Sequence, residues 1–409
     1  MQKRSSKKNK HLKAAAFLVA LSLCLGGFFV FSSCSAQEIT ENGADYMIEG
    51  EKSYFLPLNK STSPSLNISA KSAILIEAGT GTVMYEKNAD ERLPMASTTK
   101  IMTALVALES CEVTKEISVS PDAVGVEGSS IYLYPGENLT LEELLYAMLL
   151  ESANDAAAAI AIEIGGSIDG FADMMNEKAR SLGLLHTHFE NPHGLDSETH
   201  YTTARELAII ARAAYSNEKF KEIVSTYKKT IPLNNTEGVR LLINHNKLLK
   251  SYDGATGIKT GFTKKSGRCL VSAAERDGLE FIAVTLNAPD DWQDHTTLLD
   301  YGFSILESRI LCEIGEFGYI LPAVSGDCDH VKIENAEKVT VILPRSRGSI
   351  ETKIELDRFA YAPVNAGEIM GRLVFYLDGK EIADSKLIAT TSVTLVDKKQ
   401  SFFDRFKSH

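Results

Sequence analysis

Three short motifs stand in one order along the chain and restrict the folds open to it: Ser97-x-x-Lys100, then Ser152-x-Asn154, then Lys259-Thr260-Gly261. A fold that uses them together must bring segments far apart in sequence into one cleft. Ser-x-x-Lys alone is weak evidence, since it recurs at Ser5/Lys8, Ser216/Lys219 and Ser225/Lys228. The order and spacing of all three carry the inference. The chemistry they point to is acyl transfer through a serine. That reaction needs a hydroxyl, a base for its proton, an oxyanion hole and a proton for the leaving amine.

Local patterns place these groups. Pro94 pre-sets a helical turn, and Ile101, Met102, Leu105, Val106 and Leu108 recur at helical spacing. Ser97 is therefore expected near the start of a buried helix, with Lys100 one turn on along the same face. Ser97 is the candidate nucleophile and Lys100 its base. A basic lysine must be partly neutral near neutral pH, which burial and a second cation, Lys259, would produce. Ser152 is the candidate proton relay, and Asn154 an amide able to hold a substrate carbonyl and the lysine together. Taken singly, both also read as caps of a helix beginning near Asp155. Gly261 would let substrate backbone approach, and Thr260 would offer a hydroxyl to a carboxylate. The backbone N–H groups of Ser97 and Phe262 are the expected oxyanion donors. His186, His188, His193 and His200 cluster with Asp196, but no Gly-x-Ser-x-Gly elbow accompanies them, which disfavours a Ser-His-Asp triad.

At 409 residues and 44% hydrophobic content, two domains are the natural expectation. Residues 1–36 carry six cations, run apolar from Ala14 to Phe31 and end in small residues, the pattern of an export signal. Release after Ala36 and lipidation of Cys34 both fit. Phe31 suits a lipobox poorly, which favours the first. The formal charge is -11, and a chain beginning at Gln37 carries -17, so nucleic acid is not an expected partner. Cys111, Cys269, Cys312 and Cys328 allow one bridge or four thiols, with no disulfide scaffold. No Cys-x-x-Cys or His-Glu-x-x-His element suggests a metal.

Residues 37–69 read as a flexible tether. A hairpin around Gly79-Thr80-Gly81 opens an α+β domain over 70–312. Its middle is helical: Leu141 to Leu150, Ala156 to Ile164, Ile168 to Leu182, and Ala204 to Tyr215, the last begun by a capping box of Thr203 and Glu206. Strand signals return around Lys259. Over 316–396 the texture changes to short β runs, a small all-β domain, and 397–409 form a short tail.

Arg92-Leu93-Pro94-Met95-Ala96-Ser97-Thr98-Thr99-Lys100, Glu151-Ser152-Ala153-Asn154-Asp155, His193-Gly194-Leu195-Asp196, Tyr201-Thr202-Thr203-Ala204-Arg205 and Thr256-Gly257-Ile258-Lys259-Thr260-Gly261-Phe262-Thr263 follow one another in the chain. In that order they resemble the low-molecular-mass penicillin-binding proteins of the serine D-alanyl-D-alanine carboxypeptidase family. The resemblance implies a penicillin-binding/β-lactamase-like transpeptidase catalytic domain followed by the all-β domain. It also implies removal of the terminal D-alanine from peptidoglycan pentapeptide side chains through an acyl-enzyme on Ser97. No cofactor or metal is implied, and β-lactam antibiotics would acylate the same serine.

Two positions depart from the pattern. Phe262 stands where some relatives carry His, and Lys247 where relatives carry Arg for the substrate carboxylate. The tail holds only Phe402, Phe403 and Phe406 as an apolar cluster, so peripheral membrane contact there would be weak. The expected location is the extracytoplasmic face of the cell membrane or the cell wall. The rival readings are a D,D-endopeptidase, a β-lactamase-like hydrolase and a catalytically idle wall-binding module.

Overall fold

The computed structural model describes residues 45–48, 50–56, 64–233, 238–345 and 348–396. The expected signal segment, with Cys34 and Ala36, and the tail 397–409 lie outside the described residues. The described residues include two short strands, β1 (Asp45–Ile48) and β2 (Glu51–Phe55), after which the chain enters its first body with the hairpin β3 (Ser72–Glu77) and β4 (Val83–Lys87). A helical block follows. It comprises α1 (Lys100–Ser110), the ladder β5 (Glu116–Ser118) with β6 (Asn138–Thr140), α2 (Leu141–Leu150), α3 (Asn154–Gly165), α4 (Ile168–Ser181), α5 (Ala204–Tyr215) and α6 (Glu218–Ser225). The hairpin β7 (Lys228–Pro232) and β8 (Val239–Ile243), the short α7 (Leu248–Ser251), the strands β9 (Ala255–Thr263), β10 (Gly267–Arg276) and β11 (Leu279–Leu286), and α8 (Asp291–Ile305) complete the body.

These strands form one antiparallel sheet in the order β4-β3-β11-β10-β9. Successive residues serve opposite faces. Ile74, Val271 and Val284 join the core under the helical block, while Leu75, Leu270 and Ala283 join Leu298, Leu299 and Phe303 of α8. Because both faces are covered, β3 and β11 are apolar almost throughout. Strand β9 is left at the edge, where it meets the turn bearing Ser97.

Two local expectations change. The helix at Ser97 begins at Ala96, not Pro94, as a 3₁₀ turn over Ala96–Thr99 that runs into α1. Thr203 does cap α5 by accepting from Glu206 N–H, but the Glu206 carboxylate turns away to take the N–H groups of Leu185 and His186. The complete capping box is instead Thr140 with Glu143, at α2.

The second body holds β12 (Leu306–Cys312), β13 (Gly318–Val324), β14 (His330–Asn335), β15 (Lys338–Pro344), β16 (Ile350–Leu356), β17 (Ala360–Tyr361), β18 (Ile369–Leu377) and β19 (Lys380–Ala389). Two sheets, β1-β2-β15-β12 and β16-β18-β19-β14-β13-β17, enclose a core that includes Val339, Val341, Ile333, Leu373, Phe375 and Leu387. Two boundaries move as a result. Strand β12, inside the range 70–312, pairs with β15 and belongs to this body.

The stretch 37–69 is likewise more than a tether. Strand β2 runs parallel to β15 from Glu51↔Lys338 to Phe55↔Ile342, and the Tyr54 hydroxyl donates to Asp384 at 2.8 Å. Lys52 lies 3.7 Å from Glu337 and 3.6 Å from Asp384. Phe55 is buried in the α8-side core of the sheet. A five-residue strand whose partner lies near the other end of the chain leaves no local periodicity to read. Cys111, Cys269, Cys312 and Cys328 are free thiols. No helix among the described residues is long and apolar enough to cross a membrane.

Candidate active site

The Ala96–Thr99 turn lies against β9, and two glycines make that approach possible. A Cβ on Gly261 would stand 3.0 Å from the Ser97 nitrogen, and one on Gly194, at φ +89°, would overlap the Ala96 carbonyl. Gly261 was expected to make room for substrate; the group it accommodates in the fold is the protein's own Ser97 turn. Ser97 N–H sits at the start of the turn, where helical geometry supplies no acceptor, with a glycine on either side.

Lys100 is fully buried at the head of α1. Its Nζ lies 2.9 Å from Ser97 Oγ, 2.7 Å from Asn154 Oδ1 and 2.6 Å from the His193 carbonyl. Asn154 cannot be turned round, because its Nδ2 donates to the Glu127 carbonyl at 2.5 Å. Asn154 Oδ1 and His193 O can therefore only accept. A neutral amine has two N–H bonds, and these two acceptors use both, so its lone pair is left facing the Ser97 hydroxyl. Burial lowers the Lys100 pKa well below the usual lysine value, and the charge of Lys259 lowers it further, against a smaller opposing pull from Asp155. Lys259, also buried, is brought down to about 7 by desolvation and donates to the Thr260 carbonyl at 3.0 Å.

Ser152 and Asn154 do not cap a helix. Helix α3 begins at Asn154 itself after Ala153, with no side-chain cap. Ser152 sits at φ +60° and its hydroxyl has no partner among the described residues, so a relay through it would need substrate or water. Asp155 organises the wall of the cleft: its carboxylate accepts from the Ser130 hydroxyl and from the N–H groups of Ile131, Leu133 and Ala156. Glu151 accepts from Ile243 N–H at 2.6 Å and lies 3.2 Å from His245 Nε2, fastening β8 beside Ser152. On the far wall, Thr263 donates to Asp196 at 2.9 Å.

The structure thus brings Ser97, Lys100, Asn154, Lys259 and Gly261 together; of Phe262 only the backbone N–H is a candidate, and that residue follows Gly261 on the same strand. Phe262 is 65% exposed. Lys247 is exposed at the start of α7, with its ammonium 5.8 Å from the centre of the Trp292 ring. Arg268, paired across the ladder with Phe262, flanks the same ring at 5.7 Å. His193 and Gly194 stand within a family-like segment whose residue types assign them no role. A backbone acceptor has no residue-type signal, though a glycine next to it is the kind of trace one leaves.

Fold and cleft define a serine peptidase, and comparison with known proteins narrows that class. Residues 59–290 match the family described as D-alanyl-D-alanine carboxypeptidase, and residues 315–395 match the C-terminal domain of penicillin-binding protein 5. The chain is 34% identical over 330 residues to the D-alanyl-D-alanine carboxypeptidase DacF of Bacillus subtilis, covering 78% of this chain and 85% of that one. It is 31% identical over 343 residues to DacA of Escherichia coli, covering 80% and 84%. Penicillin binding protein 5 from Haemophilus influenzae superposes with a TM-score of 0.59 at 28% identity, covering 82% of this chain and all of that one. The chain belongs to the D-alanyl-D-alanine carboxypeptidase family.

Proposed function

We propose that the protein is an exported serine D-alanyl-D-alanine carboxypeptidase that trims peptidoglycan pentapeptides, and that penicillins acylate the same serine. The observation that carries this reading is the convergence of Ser97 Oγ, Asn154 Oδ1 and the His193 carbonyl on the buried Lys100 amine, whose neutral form, with the two carbonyl oxygens taking its N–H bonds, turns its lone pair to Ser97. Lys100 takes the hydroxyl proton as Ser97 Oγ attacks the penultimate D-alanine carbonyl. The Ser97 and Phe262 N–H groups receive the oxyanion. When the C–N bond breaks, the leaving nitrogen takes a proton through Ser152 and departs as D-alanine. Water, deprotonated by Lys100, then hydrolyses the ester.

Lys259 adds to the burial that disfavours the charged form of Lys100 and, with Thr260, faces the terminal carboxylate. Lys247 and Arg268 are two further cations, both flanking the Trp292 ring. A buried pair of lysines is expensive to maintain, which weighs against an idle wall-binding module.

Incubating the protein with a pentapeptide ending in D-Ala-D-Ala should release D-alanine. Ser97→Ala should abolish release, and Lys100→Arg, which keeps charge but yields no usable lone pair, should lower acylation by roughly 10²-fold or more. Near-normal acylation in Lys100→Arg would move the base elsewhere. Amidating the terminal D-alanine removes the charge that Lys259 is proposed to read, and should reduce turnover efficiency roughly tenfold to a hundredfold. Equal cleavage of acid and amide would favour the endopeptidase reading.

A further inference from the structure

Beneath the catalytic turn lies a buried histidine that the proposed chemistry does not use. His200 is 3% exposed, and its Nδ1 accepts the Glu190 N–H at 3.1 Å. A backbone N–H can only donate, so Nδ1 carries the lone pair and Nε2 the proton. Nε2 lies 2.8 Å from Thr99 Oγ1, and the Thr99 hydroxyl donates onward to the Ala96 carbonyl at 2.7 Å. The chain of donors has one direction: Glu190 N–H, His200, Thr99, Ala96 C=O. Every side chain in it is buried.

The Ala96 carbonyl shares a planar peptide with the Ser97 N–H, and in a trans peptide the two point opposite ways. A hydrogen bond on the oxygen therefore fixes where the N–H points. It also draws charge toward the oxygen, which makes the N–H a stronger donor. The plane needs holding, because Ala96 sits at φ +49°, a conformation disfavoured for alanine. We propose that His200 and Thr99 are positioning residues that aim and polarise the Ser97 N–H as an oxyanion donor. The inference rests on the oxyanion role proposed above. The bland alternative is that His200 only fills space, edge-on to Phe189 at 5.8 Å.

The test combines steady-state turnover of the D-Ala-D-Ala pentapeptide with the infrared carbonyl band of the penicilloyl ester on Ser97. Thr99→Val keeps the shape and removes the hydroxyl. It should lower kcat roughly tenfold, a part of what loss of a whole oxyanion donor costs, with KM little changed and the ester band moved to higher frequency. His200→Asn keeps an acceptor near Glu190 but has no donor that reaches Thr99, and should match Thr99→Val. His200→Gln places an amide N–H near the Nε2 position and should restore most of the rate and the band, as should Thr99→Ser. The Thr99→Val/His200→Asn pair should be no worse than Thr99→Val alone. An ester band unmoved in Thr99→Val, or losses that add in the pair, would overturn the inference alone. A wild-type protein that forms no ester on Ser97 would overturn the underlying reading with it.

Discussion

Lys259 illustrates the conflict between stability and chemistry within one residue. Its folded pKa of about 7 lies below the ordinary lysine value of 10.5. Between those values the unfolded chain binds more protons, so stability rises with pH across that window and is lowest below it. Lys259→Met should remove its share of this slope, leaving that of Lys100, and stabilise the fold at neutral pH by about 1–4 kcal/mol, as replacement of buried charges by apolar residues does, while acylation collapses. Denaturant unfolding at several pH values measures it; an unchanged slope would mean that Lys259 is hydrated in solution. At this scale the sequence was most legible. Spacing alone joined Ser97 to Lys100, and the motif order joined both to Lys259. The second acceptor of Lys100 is a backbone carbonyl, invisible to residue type.

Elements were legible where their patterns are local. Helices α2, α4 and α5 fall within a residue or two of their expected limits, because cap and periodicity agree. The strands whose partners are distant were not legible: β2 lies in a stretch read as tether, and β12 in a stretch assigned to the catalytic domain. The clearest consequence concerns β2. Deleting residues 45–56 should leave D-alanine release unchanged, since no cleft residue lies there, yet it removes an internal strand of the β1-β2-β15-β12 sheet. The second body should then melt earlier than the first, giving two calorimetric transitions. One unshifted transition would show that β15 does not depend on this pairing.

For the whole molecule, acid is the sensitive direction. His193, His200 and His295 are buried, with pKa values brought from 6.5 to about 3, 4 and 3, chiefly by desolvation. His295 is held neutral between the Ser272 and Thr285 hydroxyls at 2.5 and 2.9 Å. Each must stay unprotonated in the fold but charges freely once unfolded. Their contribution is therefore complete above about pH 6.5 and is lost as pH falls toward 4, at about 1.4 kcal/mol per pH unit for each histidine. Unfolding free energy measured between pH 7 and 4 should fall with a slope near three protons. A slope near zero would place these rings in contact with water.

The parallel pairing of β2 with β15 also sets a timetable. Glu51 leaves the ribosome early and Lys338 late, with most of the chain between them. At roughly 5–20 residues per second, the first strand waits on the order of tens of seconds for its partner. Throughout that interval the edge of β2 not paired with β1 is open to any other strand, whereas the sheet behind Ser97 can already close. The sheet of the peptidase can close before β2 has met β15, and a strand made early in the chain is then among the last to find its place.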